Sequence, residues 1–246
     1  MDARWFEHEE VSSTSDVAFE ALAAGTARHG DVHTARVQTA GRGRRGRTWH
    51  QMPGEGLALS LVWLPPAPAP SPAGLTMAAG LGLHDCCAEL GLRGGRLKWP
   101  NDLLAAGGKL AGVLVESRGL DPGAPHYVVG VGLNVRQSRF SAELEAEQPV
   151  TSLLREGLDV PLRNAAETLR EALAGRLAQV TTGPARLTAD YLTALGLAGA
   201  AVDVTVGSKT TRGRLAGIDL GTGLTLEADA GTRQIPLEHI TRLCAV

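Results

Sequence analysis

Residues 57–63 place leucine at 57, 59 and 61 and tryptophan at 63, every second position, which predicts a β-strand with one buried face. Residues 35–39 read as a short strand ahead of it. Residues 15–24 read as a helix, with Val17, Phe19 and Leu22 at helical spacing and Ser13 to Ser15 as capping candidates. After a Pro/Ala connector at 64–74, small and apolar residues run from 75 to 92 with no breaker stronger than glycine, as a buried helix would. Residues 95–99, 110–116 and 126–135 are β candidates divided by Gly, Asp or Pro turns. Helices follow at 162–180, where Leu169, Leu173 and Leu177 lie four apart, and at 185–195. Beyond Gly199 the texture changes to short alternating runs at 202–206, 212–220, 224–228 and 233–237, turned at Gly221 and Gly231. A β module of that size must lean on its neighbour or close into a barrel. The expected division is therefore 1–198 and 199–246.

The chain's 246 residues, 43% hydrophobic and 20% charged, suffice for a sizeable core and exclude general disorder. A net charge of -2 makes any basic cluster a local feature and not part of a broadly cationic nucleic-acid surface. Cys86, Cys87 and Cys244 lack metal-type spacing and read as small apolar fillers. No apolar run is long enough for a membrane span, and the acidic start has no signal-peptide pattern, so a cytoplasmic location is expected. Arginine is the habitual cation, 21 against three lysines, and two of those lysines, Lys98 and Lys109, share one twelve-residue segment. A compact ammonium there does something a planar guanidinium would not.

The chemistry concentrates in a few segments. Gly41 to Arg47, Gly-Arg-Gly-Arg-Arg-Gly-Arg, alternates permissive backbone with planar donor forks and reads as a loop that clamps phosphate or carboxylate. Its glycines also match the dinucleotide-binding spacing, a coincidence here because arginines crowd the turn that fold needs. Lys98-Trp-Pro-Asn-Asp102 aims an amide and a carboxylate from a stiff strand end, although such a pair is usually only a turn. A hairpin through Gly107 and Gly108 would return Lys109 toward Asp102, placing an ammonium where two anions could meet. Gly130-Val-Gly-Leu-Asn134 is a strand whose glycines leave room for a ligand.

These residues, with Ser13-Thr-Ser15, Gln38, Thr48-Trp49, the Lys109-Leu-Ala-Gly112 turn and Thr151-Ser-Leu153, resemble the biotin–protein ligases in order and spacing over most of residues 11–155. The resemblance implies an α+β fold: a mixed central sheet flanked by helices, class II synthetase-like, followed by a small SH3-like β-barrel. It implies formation of biotinyl-5'-AMP from biotin and Mg2+-bound ATP, then transfer to a lysine of a biotin carboxyl carrier protein of acetyl-CoA carboxylase or a related carboxylase. By the same resemblance Ser13, Thr14, Gln38, Gly41, Arg42, Lys109 and Gly112 border biotin. Arg44, Arg47, Trp49, Asn101 and Asn134 face ATP or the adenylate with Lys109. Lys109, Arg44, Asp102 and Arg42 carry the catalysis, and Asp102 is the candidate Mg2+ ligand. Ser15 stands where the family commonly has asparagine. The first motif lies within fifteen residues of Met1, so no helix-turn-helix and no operator binding are expected; the family admits a homodimer through sheet edges.

The nearest rival is a lipoate or octanoate ligase or transferase, which shares the architecture and also modifies a carrier lysine; the intact arginine loop favours biotin. A nucleic-acid-binding module using Arg42 to Arg47 is disfavoured, because 4% aromatic residues give no evident stacking platform.

Overall fold

A computed structural model of the chain describes residues 3–119, 121, 123–229 and 231–246. The first part runs β1 (Trp5–Val11), α1 (Thr14–Ala23), β2 (Val32–Gln38), β3 (Gly56–Trp63), α2 (Pro72–Glu89), β4 (Arg96–Lys98), β5 (Asp102–Ala105), β6 (Gly108–Glu116) and β7 (Tyr127–Asn134). Then come α3 (Ala142–Glu147), α4 (Leu162–Thr182) and α5 (Pro184–Leu195). The chain ends in β8 (Ala201–Val206), β9 (Lys209–Asp219), β10 (Gly223–Ala228), β11 (Gly231–Ile235) and β12 (Ile240–Ala245).

Seven strands form one mixed sheet in the order β1-β2-β3-β7-β6-β5-β4. Only β1 and β2 run parallel; the remaining neighbours are antiparallel. The alternation along β3 decides what lies on each face. Leu57, Leu59, Leu61 and Trp63 enter the large core that α2 and α4 build with Leu75, Leu81, Leu169 and Leu173. Val62 points the other way and packs with Ala18 and Phe19 of α1 and with Val128. Because α1 covers only part of this second face, the rest is free to form a cavity. Helix α2 has to approach α4 closely: a Cβ added at Gly82 would lie 2.9 Å from Leu173 Cα, which explains a glycine inside a buried helix.

The last five strands form an antiparallel sheet in the order β11-β10-β9-β8-β12. The expected SH3-like barrel is not closed by strand pairing, since β11 and β12 are the two edges of this sheet. Its inner side chains, among them Val202, Leu215, Leu226 and Leu243, are continuous with the main core. The Trp99 indole N–H donates to the Ile240 carbonyl at 3.0 Å, joining the two sheets. Among the described residues, no helix is long and apolar enough to cross a membrane.

Four elements were not expected from the sequence. β1 is an acidic edge strand with no fully buried residue, so it lacks the one-sided pattern that marks a strand. β5 is only four residues long, and α3 is a six-residue exposed turn capped by Ser141. In β12 a bulge between Ile240 and Arg242 separates the buried Ile240 and Leu243 by two residues, which breaks the period of two.

Candidate active site

Small residues line up across the sheet. Hydrogen-bonding register pairs Ala35 with Ala58, Ala58 with Gly132, Gly132 with Gly112, and Gly112 with Asp102. Such a row, beside the part of the face α1 leaves open, makes a trough bounded by Asp102 at one end. The trough opens into a cavity of about 370 Å³, a size suited to a small molecule. The indole of Trp49 sits over Gly132, where an added Cβ would come within 2.2 Å of Trp49 Cε2. Only glycine lets the loop residue seat there.

The inner wall is neutral and hydroxyl-rich. Ser13 caps α1 by accepting from the Ser15 amide at 3.3 Å. Thr14 donates its amide to Gln38 Oε1 at 2.9 Å, and its Oγ1 lies 2.8 Å from Ser60 Oγ. Ser60 Oγ also lies 3.1 Å from Ser15 Oγ. Ser60 reaches this chain because it occupies the α1-facing parity of β3, beside Gly130 of β7.

At the other end Lys109 Nζ stands 2.9 Å from Asp102 Oδ1. The pair is close but off the hydrogen-bond line, so the buried Oδ1 has no well-aligned donor. Both come from the β5–β6 hairpin, as the sequence suggested. Gly112 lies against both: a Cβ there would be in van der Waals contact with Asp102 Oδ1 at 3.4 Å and Lys109 Nζ at 3.6 Å. Lys109 Nζ also lies 5.8 Å from the Trp49 ring centroid. The two asparagines act first on backbone. Asn101 Nδ2 donates to Val113 O at 2.8 Å, and Asn134 Nδ2 to Thr151 O at 2.9 Å. Asn134 Oδ1 accepts from Gln137 Nε2 at 3.1 Å.

The arginine loop covers the cavity. Gly41 O accepts from the Trp49 amide at 2.9 Å and Gly43 N donates to Arg47 O at 2.7 Å, closing the loop on itself. A 3-10 turn spans Arg44–Gly46 with Arg45 at φ 57, a left-handed conformation that costs a non-glycine residue about 1–2 kcal/mol. Arg42 is held by Asp16 at 2.7 Å and Glu116 at 3.3 Å. Among the described residues Arg44, Arg45 and Arg47 have no carboxylate partner. Burial, then the Arg45 charge, presses the Arg44 pKa below the usual guanidinium value, opposed by Asp102; the group remains a cation.

Of the residues singled out in the sequence, Ser13, Thr14, Gln38, Arg42, Arg44 and Arg47 line the cavity. Trp49, Asn101, Lys109, Gly112 and Asn134 line it too. Gly41 and Asp102 stand just behind, one holding Trp49 and the other Lys109. Ser60, Leu144, Glu147, Gln148 and Val150 also line it and went unnoticed in the sequence. Strand parity marks Ser60 once α1 is known to cover that face, whereas no local pattern signals the α3 segment. Among the described residues, no three His, Cys, Asp or Glu side chains gather as a metal-binding group. A Mg2+ ion, commonly held by one or two carboxylates with substrate phosphates and water, could be held here by Asp102 behind the cavity, and Glu147 is a second carboxylate on its lining.

The profile of the Biotin/lipoate A/B protein ligase family matches residues 8–134, which takes in all of these residues except the α3 segment and Val150. A biotin–[acetyl-CoA-carboxylase] ligase of Paracoccus denitrificans is 36% identical over 214 residues, covering 84% of this chain and 88% of the relative. The chain belongs to the biotin/lipoate A/B protein ligase family. A ligase of the same name from Mycobacterium tuberculosis is 39% identical over 193 residues, covering 74% of this chain and 67% of that protein. The biotin protein ligase from Aquifex aeolicus solved with biotin and ATP superimposes with a TM-score of 0.79, covering 99% of both chains at 24% identity. That likeness establishes the fold this family member shares.

Proposed function

We propose that this chain is an ATP-dependent biotin–protein ligase. Biotin's carboxylate oxygen attacks the α-phosphorus of ATP, the bond to the leaving phosphate breaks, and pyrophosphate departs. The ε-amine of a lysine on a biotin carboxyl carrier protein, from acetyl-CoA carboxylase or a related carboxylase, then attacks the acyl carbon of the adenylate. AMP leaves as the amide forms.

One observation carries the reading: a single cavity joins a neutral hydroxyl wall to a lysine and to arginines that have no carboxylate partner among the described residues. The ureido ring of biotin offers two N–H donors and one carbonyl acceptor, which Ser13, Thr14, Ser15, Gln38 and Ser60 can satisfy. A dithiolane ring offers neither and would form none of these hydrogen bonds, each worth about 0.5–1.5 kcal/mol. Lys109 is assigned to the meeting point of carboxylate and α-phosphate, where a positive charge offsets the repulsion of two anions. Arg44 and Arg47 are assigned to the phosphates, with Asn101 and Asn134 on the nucleotide side. Gly41 and Gly112 supply close backbone on the biotin side, and Arg42 fixes the loop beside it. Asp102 holds Lys109 and is the carboxylate assigned to Mg2+, whose charge would neutralise phosphate. Trp49 and the arginine loop form the cover, since a mixed anhydride must be kept from water.

Residues 1–198 would form the catalytic unit and 199–246 a module that buttresses the Trp99–Pro100 corner. Three free cysteines, two of them buried, suit a reducing compartment such as the cytoplasm.

Incubation of the purified chain with ATP, Mg2+ and biotin, and in parallel with lipoate, tests the reading. Pyrophosphate release and label transfer to a carrier domain are expected with biotin alone. Transfer of lipoate in preference would overturn the substrate assignment, and activity with neither would overturn the chemistry.

A further inference from the structure

We propose that Asp16, which does not line the cavity, is the positioning residue that holds the root of the arginine loop over it, with Glu116 and Arg118 as its partners; this rests on the ligase reading above.

The root of the loop is narrow. Arg42 and Thr48 form a β-bridge, one step inside the Gly41–Trp49 hydrogen bond. From that point the Arg42 side chain reaches outward, with one terminal nitrogen 2.7 Å from Asp16 Oδ2 and the other 3.3 Å from Glu116 Oε2. Asp16 uses its second oxygen to accept from Arg118 at 2.7 Å. Arg118 in turn lies 4.2 Å over the ring of Phe19, which seats α1 on the sheet. Ser12 Oγ donates to Asp16 at 3.1 Å. One carboxylate thus ties together the first turn of α1, the root of the loop and the end of β6. Two residues earlier, the same turn supplies Thr14 to the hydroxyl wall.

An acid in the first turn of a helix also sits favourably in the helix dipole. Burial works against the Asp16 charge, but the Arg42 and Arg118 guanidiniums more than compensate and hold its pKa at about 2. The clasp is therefore charged throughout the neutral range.

The consequence concerns retention of the intermediate. While Asp16 anchors Arg42, Arg44 and Arg47 stay poised above the cavity. Without that anchor the loop opens, and water can attack the acyl carbon of biotinyl-AMP, break the acyl–phosphate C–O bond and yield biotin and AMP. Asp16 should accordingly govern leakage and the KM for biotin, and leave kcat for adenylate formation nearly unchanged.

The test uses the full chain with Asp16→Asn, Asp16→Glu and Arg118→Gln. Two readouts serve: AMP release from biotin and ATP without acceptor, and the rate of tryptic cleavage within the arginine loop. Asp16→Asn should raise both by about tenfold, the effect of losing one charge-assisted pair. Asp16→Glu should restore most of the loss, and Arg118→Gln should move both readouts in the same direction by less. Wild-type leakage and cleavage in Asp16→Asn would overturn the proposal, as would equal impairment in Asp16→Asn and Asp16→Glu. If Asp16→Asn does not fold, Arg118→Gln decides, because Arg118 is half exposed; unchanged values there overturn the proposal. If the wild-type chain releases no pyrophosphate with biotin, the ligase reading fails, while loop cleavage still decides the clasp.

Discussion

On the inner wall of the cavity, Thr14, Ser15 and Ser60 are buried neutral groups that hydrogen-bond to one another. On its cover, Arg44, Arg45 and Arg47 are permanent charges without carboxylate partners among the described residues. The wall is built from the cap of α1 and from β2 and β3, elements fixed by the core on both faces of the sheet. The cover is a loop closed by a few backbone hydrogen bonds and one ion-paired side chain. A rigid surface of preplaced hydroxyl groups can discriminate between ring systems by the hydrogen bonds that each ring is able to add. A charged, weakly anchored loop can respond to the arrival of phosphate. Lys109 and Asp102 lie between the two and belong fully to neither.

That contrast can be broken most severely at the junction. Lys109→Ala should lower biotin-dependent pyrophosphate release by about 10²–10³-fold, the range seen when one preorganised charge or donor is removed. Thermal unfolding should show the fold intact; near wild-type turnover would remove Lys109 from the chemistry. On the wall, Ser60→Ala deprives both Thr14 and Ser15 of a partner. It should raise the KM for biotin by about tenfold, equivalent to about 1.4 kcal/mol, with little change in the KM for ATP. An equal rise in both constants would mean that wall and phosphate site are not separate.

On the cover, Arg44→Ala should increase AMP release without acceptor by several-fold, about 1 kcal/mol. The gap between mutant and wild type should narrow as salt is added, because a contact between the partly exposed Arg44 and phosphate would be screened. A salt-independent gap would count against a charge-based cover.

The smallest effect separates the sheet from the site. His33, on β2 in the same strand as Gln38, is held by burial and by the neighbouring His8 well below its usual value of 6.5, at about 4. A depressed histidine pKa means that the unfolded chain binds the extra proton first. Stability should therefore be full above about 6.5 and fall as pH drops toward about 4. His33→Gln should flatten that slope in denaturant titrations, and an unaltered slope would assign the acid sensitivity elsewhere.

The expectations that held were those carried by local chemistry. The glycine–arginine run could be little but a cationic loop, and the glycine-flanked Lys109 turn did return to Asp102. The leucine alternation at 57–63 named the core face of β3 correctly. Its opposite parity, carrying Ser60, said nothing until α1 was in place above it. The Pro100–Asn101 corner was read as aiming an amide at ligand, yet the Asn101 side chain first satisfies the Val113 carbonyl. Likewise Arg42, indistinguishable in sequence from the other loop arginines, is the one whose charge is already matched.

The sequence alone supplied most of the candidate residues that line the cavity, because charge, hydroxyl groups and backbone freedom are properties of single residues and of their nearest neighbours. It also settled the strand and helix periods wherever one face was cleanly apolar. Only the tertiary structure decided which of those groups confront one another. The row from Ala58 through Gly132 and Gly112 to Asp102 joins four strands, and the clasp of Asp16, Arg42, Glu116 and Arg118 draws on three separate segments. Strand register and helix placement set these contacts, and both follow from burying the core as a whole.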